Sequence, residues 1–302
     1  MRVDARYAPR QKWVGSIDAD SQITDLTLDD HACLTFGERE EYLDLTAAYI
    51  RDGLAEGLRV VWLSEEPQAA RAELDRRGLA VRHAGDGGRM RIVAWQDGLL
   101  SGRQFALEDA MRWLRAQRDE AERAHRGLRV AIDMGWALSP IQGVEQLPAF
   151  ERQIAETLAG TRVSVLCQYD RERFDPVTLA SVSAFHTRSV AAATYHDDPL
   201  LRICRQYAPP GVRLAGQIDS TAAESLALAL AEVIRGDADV TVNMSELTFI
   251  DVACTRMILD CARSICPDRK VVLRCHSTIS ARFVLLGATD IAGVTVETAD
   301  ER

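Results

Sequence analysis

The chain has 302 residues, of which 47% are hydrophobic and 27% charged, and its formal net charge is −9. This length suits two domains, because a single domain usually runs to about 100–200 residues. The acidic balance and the scattered arginines argue against the basic patch that a nucleic acid or an anionic membrane surface requires.

Hydropathy and cysteine usage predict a cytoplasmic protein. No apolar run reaches the roughly 20 residues of a membrane span, and the first twenty residues lack the apolar core of a secretory signal. The seven cysteines are odd in number and lie mostly in apolar segments, which is typical of reduced, buried thiols. We therefore expect neither nucleic acid nor membrane among the partners.

Strand and helix signals alternate along the chain after residue 24. Short β-rich runs occupy residues 31–36, 59–63, 89–95, 128–134 and 163–169, and helical patterns separate them. This alternation predicts βαβ units, and the near-continuous apolar strands indicate a mostly parallel sheet that helices cover on both faces.

Four segments follow from this pattern. We expect a flexible N-terminal segment at 1–24, a first domain at 25–196, a linker at 197–211 and a second domain at 212–302. The linker is predicted from its closely spaced prolines and glycine, which are turn and loop residues. After it, strands and helices alternate again on a smaller scale.

Two motifs mark the second domain: Gly216-Gln217-Ile218-Asp219, and the run at 243–251 that leads into a predicted helix. In this order, and with the strand and helix that follow, they resemble a STAS domain of the anti-sigma factor antagonist type. The resemblance implies a small α/β domain that acts by binding an anti-sigma factor, a kinase-type ATPase protein or another STAS protein.

The signature helix departs from that family. There, the acid aligned with Asp251 is followed by a serine that a partner kinase phosphorylates, whereas this chain has Val252, which has no hydroxyl. Phosphorylation at this position is chemically impossible, and Cys254 replaces a glycine. A helix N-cap explains Asp251 as well as partner contact does. The candidate partner-binding residues are Asp219, Asp251, Val252, Ala253 and Cys254.

The first domain carries four motifs in order: HACLTF at 31–36, VWL at 61–63, DMGWAL at 133–138 and CQYDRERF at 167–174. Together they resemble a MEDS domain, a sensory module. The resemblance implies a RecA-like core that has lost its nucleotide machinery. The expected fold class is therefore α/β, with an N-terminal RecA-like, mostly parallel sheet and flanking helices, plus a smaller C-terminal STAS-type α/β domain.

The junction after the first strand supports that loss. A phosphate-binding loop needs several glycines and a lysine, whereas residues 35–41 contain one glycine, no lysine and three acids. Carboxylates at a phosphate cradle repel the ligand. Asp133 lies where a magnesium-holding acid would be, which leaves a divergent ATPase as a weaker alternative.

Ligands of open α/β sheets bind at the carboxyl ends of the strands. The aromatic and charged residues expected there, together with His31, predict a pocket for a small, partly apolar molecule. Simple core packing is the competing explanation for each aromatic residue. The candidate ligand-binding residues are His31, Phe36, Trp95, Asp133, Trp136, Tyr169 and Arg171.

A redox or metal-responsive site is a further alternative, because His31 and Cys33 share a strand face and Cys167 lies on another strand. No four-ligand set is visible in the sequence, so we expect no metal and no cofactor. The favoured hypothesis is a non-enzymatic sensor-adaptor in a sigma-factor pathway. The sequence leaves open a small-molecule ligand and a homodimer.

Overall fold

The computed structural model describes residues 21–79, 88–101, 103–158, 160–265 and 269–299. These residues divide into two compact units, 21–191 and 192–299, each with its own hydrophobic core. No helix within the described ranges has both the length and the apolar character needed to cross a membrane.

Six parallel strands form the sheet of the N-terminal unit. They are β1 (His31–Phe36), β2 (Arg59–Ser64), β3 (Met90–Ala94), β6 (Leu128–Asp133), β7 (Val163–Asp170) and β8 (Arg188–Val190). Their order across the sheet is β3-β2-β6-β7-β1-β8. A separate hairpin pairs β4 (Leu100–Ser101) with β5 (Gln104–Phe105).

Helices connect these strands. They are α1 (Arg39–Ala55), α2 (Pro67–Arg76), α3 (Trp95–Gly98), α4 (Leu107–Ala124), α5 (Leu147–Leu158) and α6 (Pro176–Ser183). Every residue of β2 is buried, as is every residue of β7 except the last. Full burial explains why these strands are apolar runs rather than alternating patterns.

Two buried arginines secure the amino-terminal edge of this sheet. The guanidinium of Arg59, at the start of β2, donates two hydrogen bonds of 2.7 Å to the carboxylate of Glu120 on α4. Arg129 on β6 donates to the carbonyl oxygens of Tyr49 and Leu26, each at 3.0 Å. Because buried charges must be paired, these bonds join α1 and α4 to the sheet.

The C-terminal unit contains a mixed sheet of six strands in the order β14-β13-β12-β11-β10-β9. The strands are β9 (Thr194–Asp197), β10 (Leu201–Tyr207), β11 (Pro210–Ile218), β12 (Val240–Ile250), β13 (Val271–Cys275) and β14 (Val294–Thr298). Strands β11 to β14 are parallel, whereas β10 is antiparallel to both neighbours. The helices are α7 (Ala223–Ile234), α8 (Val252–Ser264) and α9 (Ser277–Leu285).

The expected linker at 197–211 differs from what the structure contains. Residues Leu201–Tyr207 form β10, a tight turn of Ala208 and Pro209 follows it, and Pro210 and Gly211 are already the first residues of β11. The turn residues are real, but they join two strands of one sheet rather than two domains. Of the segment at 1–24, residues 1–20 lie outside the described ranges, whereas Ile23 is completely buried.

The expected fold class is confirmed. The N-terminal unit is an α/β structure with a parallel sheet and flanking helices, and the C-terminal unit is a smaller α/β structure with its own sheet. The βα alternation was sufficient for this prediction because each parallel crossover needs an intervening helix.

Gly216 generates a stability prediction. Its φ is 98°, and a Cβ at this position would lie 2.0 Å from the Leu200 carbonyl oxygen. Gly216→Ala should therefore lower the free energy of unfolding of the C-terminal unit by roughly 3 kcal/mol, from left-handed strain and overpacking together. Urea denaturation measures this change. The control is Gly236→Ala at an exposed site, where the nearest atom is 3.6 Å away and an effect within about 0.5 kcal/mol is expected.

Candidate functional site

Asp133 ends β6 at the carboxyl edge of the parallel sheet. Its side chain caps a short 3-10 turn, Met134–Leu138, by accepting a hydrogen bond of 2.9 Å from the Gly135 amide. Burial raises the pKa of Asp133 to about 6, and the nearby acid Glu65 adds to the increase, while the Gly135 bond and Arg173 oppose it. An acid with this pKa can exchange a proton near neutral pH.

Phe36 and Arg171 meet at the same edge. The Arg171 amide donates to the Phe36 carbonyl oxygen at 2.8 Å. The Arg171 guanidinium lies over Gly37, where a Cβ would be 2.6 Å from Nη2. The ring of Phe36 stacks on Tyr42 with centroids 4.7 Å apart. The structure therefore brings an arginine and stacked aromatic rings to the turn between β1 and α1.

Some of the acids in that turn are buried rather than exposed at the surface. Glu40 and Glu41 are buried, and Glu40 accepts a hydrogen bond of 2.7 Å from the guanidinium of Arg77, which also binds Glu73 at 2.8 Å. Glu40, which we expected to repel phosphate, instead forms an internal ion pair with Arg77. The space that a phosphate loop would surround is instead covered by Arg171 and Gly37.

The remaining aromatic candidates lie in the core. Trp136 is fully buried and stacks on Phe105 at 4.6 Å. Trp95 is also buried, and its ring lies against Gly135, where a Cβ would be 3.4 Å away. Tyr169 is fully buried, and its hydroxyl donates to the carboxylate of Glu151. Trp95 stays close to Asp133, whereas Tyr169 belongs to a different cluster.

One groove in this unit lies away from the predicted site residues, between α4, α5 and β7. Its free volume is about 20 Å³, room for roughly one water. The lining residues are Met111, Leu114, Arg115, Arg118, Ile154, Thr157, Thr161, Val163 and Val165. None of the sequence-predicted site residues contributes to it.

His31, a further candidate ligand-binding residue, lies at the amino end of β1, away from the carboxyl edge where the other candidates were expected. The parallel register places Cys33 opposite Cys167, and His31 opposite Val165. Because strand side chains alternate, His31, Cys33, Cys167 and Tyr169 share one face of the sheet. This face is covered by α5, which carries Glu151, and by the segment between α6 and β8, which carries His186.

These side chains converge on the carboxylate of Glu151. Its Oε2 lies 3.0 Å from His31 Nε2, 3.3 Å from His186 Nε2 and 3.4 Å from Cys167 Sγ. Cys167 Sγ is also 3.5 Å from His31 Nε2. Both imidazoles and the carboxylate are at most 1% exposed, so this cluster has no contact with solvent.

Electrostatics in the cluster are set by that burial. Burial alone would raise the pKa of the Glu151 carboxyl, but His186 and His31 hold it well below its usual range. Burial and the Glu151 charge raise the pKa of Cys167 well above its usual range. The carboxylate is therefore ionised, and without a bound cation the cysteine is a neutral thiol.

Sequence reasoning found His31 and Cys167 but missed Glu151 and His186. A signal for Glu151 was present: Leu147, Phe150 and Ile154 form the buried face of α5, and Glu151 falls on that face. An acid on an apolar helix face needs a buried partner. No comparable local signal exists for His186, because its position depends on the path of the chain between α6 and β8.

In the C-terminal unit, Asp251 is the N-cap of α8. Its Oδ1 accepts from the Cys254 amide at 2.7 Å, and its Oδ2 accepts from the Ser220 amide at 2.9 Å. Asp219 similarly accepts from the Thr221 amide at 2.9 Å. Burial raises the pKa of Cys254 to about 12, so its thiol is protonated and inert.

Side chains beside this cap are exposed and apolar. Val252 is 49% exposed and Phe249 is 45% exposed, and the guanidinium carbon of Arg282 lies 5.8 Å from the Phe249 ring centroid. Leu285, at the end of α9, is 85% exposed. We call the surface formed by Phe249, Val252 and Arg282 the α8 surface.

Asp133 generates a pH prediction. Its pKa is raised from about 3.8 to about 6 on folding, so the folded state binds the proton more tightly and stability falls as pH rises through that window. Asp133→Asn should be more stable than the parent by roughly 1–3 kcal/mol at pH 7, with the difference shrinking towards pH 4. Urea denaturation between pH 4 and pH 8 measures it.

The control for this prediction is Asp175→Asn, at an exposed helix N-cap. Hydrogen bonds from Thr178 and Val177 hold the pKa of Asp175 below its usual range, so its replacement should act in the opposite direction at pH 7. Parallel pH profiles for Asp133→Asn and the parent would contradict the raised pKa of Asp133.

Comparisons with known proteins agree with this division of the chain. Residues 30–187 match the family described as "MEDS: MEthanogen/methylotroph, DcmR Sensory domain", and residues 201–291 match the family described as "Mlab, STAS domain". A search of curated proteins found no match. A sensory domain followed by a STAS domain fits a signalling or regulatory role.

Among solved structures, the chain is similar to a KaiC-like protein from the hyperthermophilic archaeon Pyrococcus horikoshii OT3. The identity is 13%, the TM-score is 0.45, and the alignment covers 63% of this chain and 79% of the other. The family match spans more than half of the 302 residues. The chain therefore belongs to the MEDS family and carries a STAS domain after its sensory domain.

Proposed function

We propose that this protein is a non-enzymatic sensor-adaptor in a sigma-factor pathway. The MEDS domain receives a signal, and the STAS domain relays it by binding an anti-sigma factor of the kinase type. Contact alone carries the information, because Val252 offers no hydroxyl for phosphate. The observation that carries the proposal is the α8 surface, which is exposed and apolar at the position where the family has its phosphorylated serine.

The chemistry of the α8 surface suits a protein partner. Val252 and Phe249 expose apolar area, and Arg282, whose guanidinium lies near the Phe249 ring, adds one positive charge. Aromatic and arginine side chains of this kind often dominate the binding energy of protein interfaces. The carboxylate of Asp251 accepts hydrogen bonds from two backbone amides, which hold it in place at the start of α8 beside this surface.

Our assignment of a non-enzymatic role rests on the β1–α1 turn. Arg171 covers Gly37, and Glu40 is bound to Arg77, so the turn presents neither a lysine nor a glycine-rich cradle. For the sensory input we propose a small ligand at the carboxyl edge, near Phe36, Asp133 and Arg171. The cytoplasm is the proposed compartment, supported by the free thiols of the six cysteines within the described ranges.

Replacing Val252 tests the partner surface. Val252→Arg places a bulky charge in the centre of the α8 surface, so affinity for the anti-sigma factor should fall at least about tenfold, the loss typical of a central interface residue. Isothermal titration of the full chain with each purified anti-sigma factor of the source organism measures this. Binding to none of them, or equal binding by the variant, would refute the proposal.

The chain offers a matched control in Val177. It is 79% exposed and also lies at the start of a helix capped by an aspartate, Asp175, but in the MEDS domain. Val177→Arg should bind the anti-sigma factor as the parent does. A second copy of this chain is the alternative occupant of the α8 surface, and sedimentation would then show a dimer that Val252→Arg dissociates.

Val252→Ser tests the missing hydroxyl. The free amides at the start of α8 favour negative charge, so the geometry for a phosphoserine remains. Incubation with ATP and the kinase-type partner should incorporate phosphate into Val252→Ser and none into the parent, as measured by intact mass. Phosphate on the parent protein would show that another residue acts as the acceptor.

A further inference from the structure

We propose that the MEDS domain holds a buried divalent transition metal, with Zn²⁺ the best fit, bound by His31, Glu151, Cys167 and His186. The four ligand atoms all lie within 4.8 Å of one another. This inference is independent of the α8 surface, which belongs to the other unit.

The spacing of these atoms matches a metal site. A tetrahedral zinc with bonds of about 2.0–2.3 Å has ligand atoms roughly 3.3–3.8 Å apart. Glu151 Oε2 lies 3.3 Å from His186 Nε2 and 3.4 Å from Cys167 Sγ, and Cys167 Sγ lies 3.5 Å from His31 Nε2. The distance between His31 Nε2 and Glu151 Oε2, 3.0 Å, is shorter than this range.

Both imidazoles are oriented as metal ligands are. His31 Nδ1 lies 3.2 Å from the Phe185 carbonyl oxygen, and His186 Nδ1 lies 2.9 Å from the Val182 carbonyl oxygen. A carbonyl oxygen only accepts, so each Nδ1 carries the hydrogen. Each Nε2 is then the ring nitrogen directed at the centre of the cluster. Histidine ligands are commonly fixed in this way by a backbone carbonyl behind the ring.

A cation resolves an electrostatic conflict in this arrangement. Two Nε2 atoms face the same carboxylate oxygen of Glu151, within 3.3 Å and away from solvent. Lone pairs and a carboxylate repel one another unless a proton or a metal ion lies between them. Tyr169 donates to the other oxygen, Oε1, which leaves Oε2 directed at the centre.

The donor set selects the metal. Two imidazoles, one carboxylate and one thiol favour zinc over calcium or magnesium, which prefer oxygen ligands alone. Binding forms a zinc–sulfur bond at Cys167, and the thiol proton is released to solvent. Four protein ligands fill a tetrahedral site, so no coordination position remains for catalysis, and the metal would stabilise or report rather than react.

Cobalt is the probe for this site. The untagged full chain, treated with a chelator and refolded if necessary, should bind one Co²⁺ per chain with the intense visible bands of tetrahedral cobalt and a sulfur-to-cobalt charge-transfer band. Stoichiometric Zn²⁺ should displace the Co²⁺ and raise the melting temperature. A folded, metal-free chain that binds neither ion, or binds Co²⁺ without the sulfur band, would overturn the proposal.

Variants locate the ion. Cys167→Ser should lose the sulfur band and weaken Zn²⁺ binding at least about 100-fold, and His186→Gln should weaken binding while retaining the band. The matched control is Cys33→Ser, since Cys33 is buried on the same face two residues from His31 but lies outside the four-ligand set. A Cys167→Ser chain with parental spectrum and affinity would place the ion elsewhere and refute this site.

Should Cys167→Ser fail to fold, Glu151→Gln gives the second test. If the cluster is only an ion network and the ion binds elsewhere, Glu151→Gln should bind Zn²⁺ with the affinity of the parent, and this result would contradict the proposed site. With a metal, Glu151→Gln should retain the sulfur band while Zn²⁺ binding weakens.

Discussion

The buried carboxylate of Glu151 is the constraint on which the N-terminal unit depends. An ionised group without solvent costs several kcal/mol unless charges or donors surround it. His31 on β1, Cys167 on β7 and His186 before β8 each approach one of its oxygens. A single side chain on α5 therefore joins that helix to two neighbouring strands, β1 and β7, and to the segment that leads into β8.

The same sheet has two chemically different ends. At the amino side of β1 the polar cluster is closed to solvent, and at the carboxyl edge Asp133, Phe36 and Arg171 surround a turn. A closed cluster suits a structural or stored ion, whereas an edge suits exchange with solution. Both ends share the strands β1 and β7, which pair along their length.

The sequence was informative where the signal is local. Apolar runs and intervening helices predicted the α/β class, and the missing hydroxyl at Val252 needed no structure. Glu151 and His186 were not predicted as site residues because their partners lie far along the chain. Only the folded structure brings them together. Residues 197–211, which contain β10 and the turn into β11, were predicted to be a linker because prolines and glycines are typical of hairpin turns and of linkers alike.

That hairpin decides where the STAS domain begins. Strand β10 pairs with β11 on one side and with β9 on the other, so the sheet ends at β9. A fragment cut at residue 212 would lack β9 and β10, so the edge of β11 that pairs with β10 would be unpaired while its other edge stays paired with β12. Unpaired strand edges template self-association, so the severed domain would oligomerise for reasons unrelated to signalling. Cutting at residue 192 keeps the sheet whole.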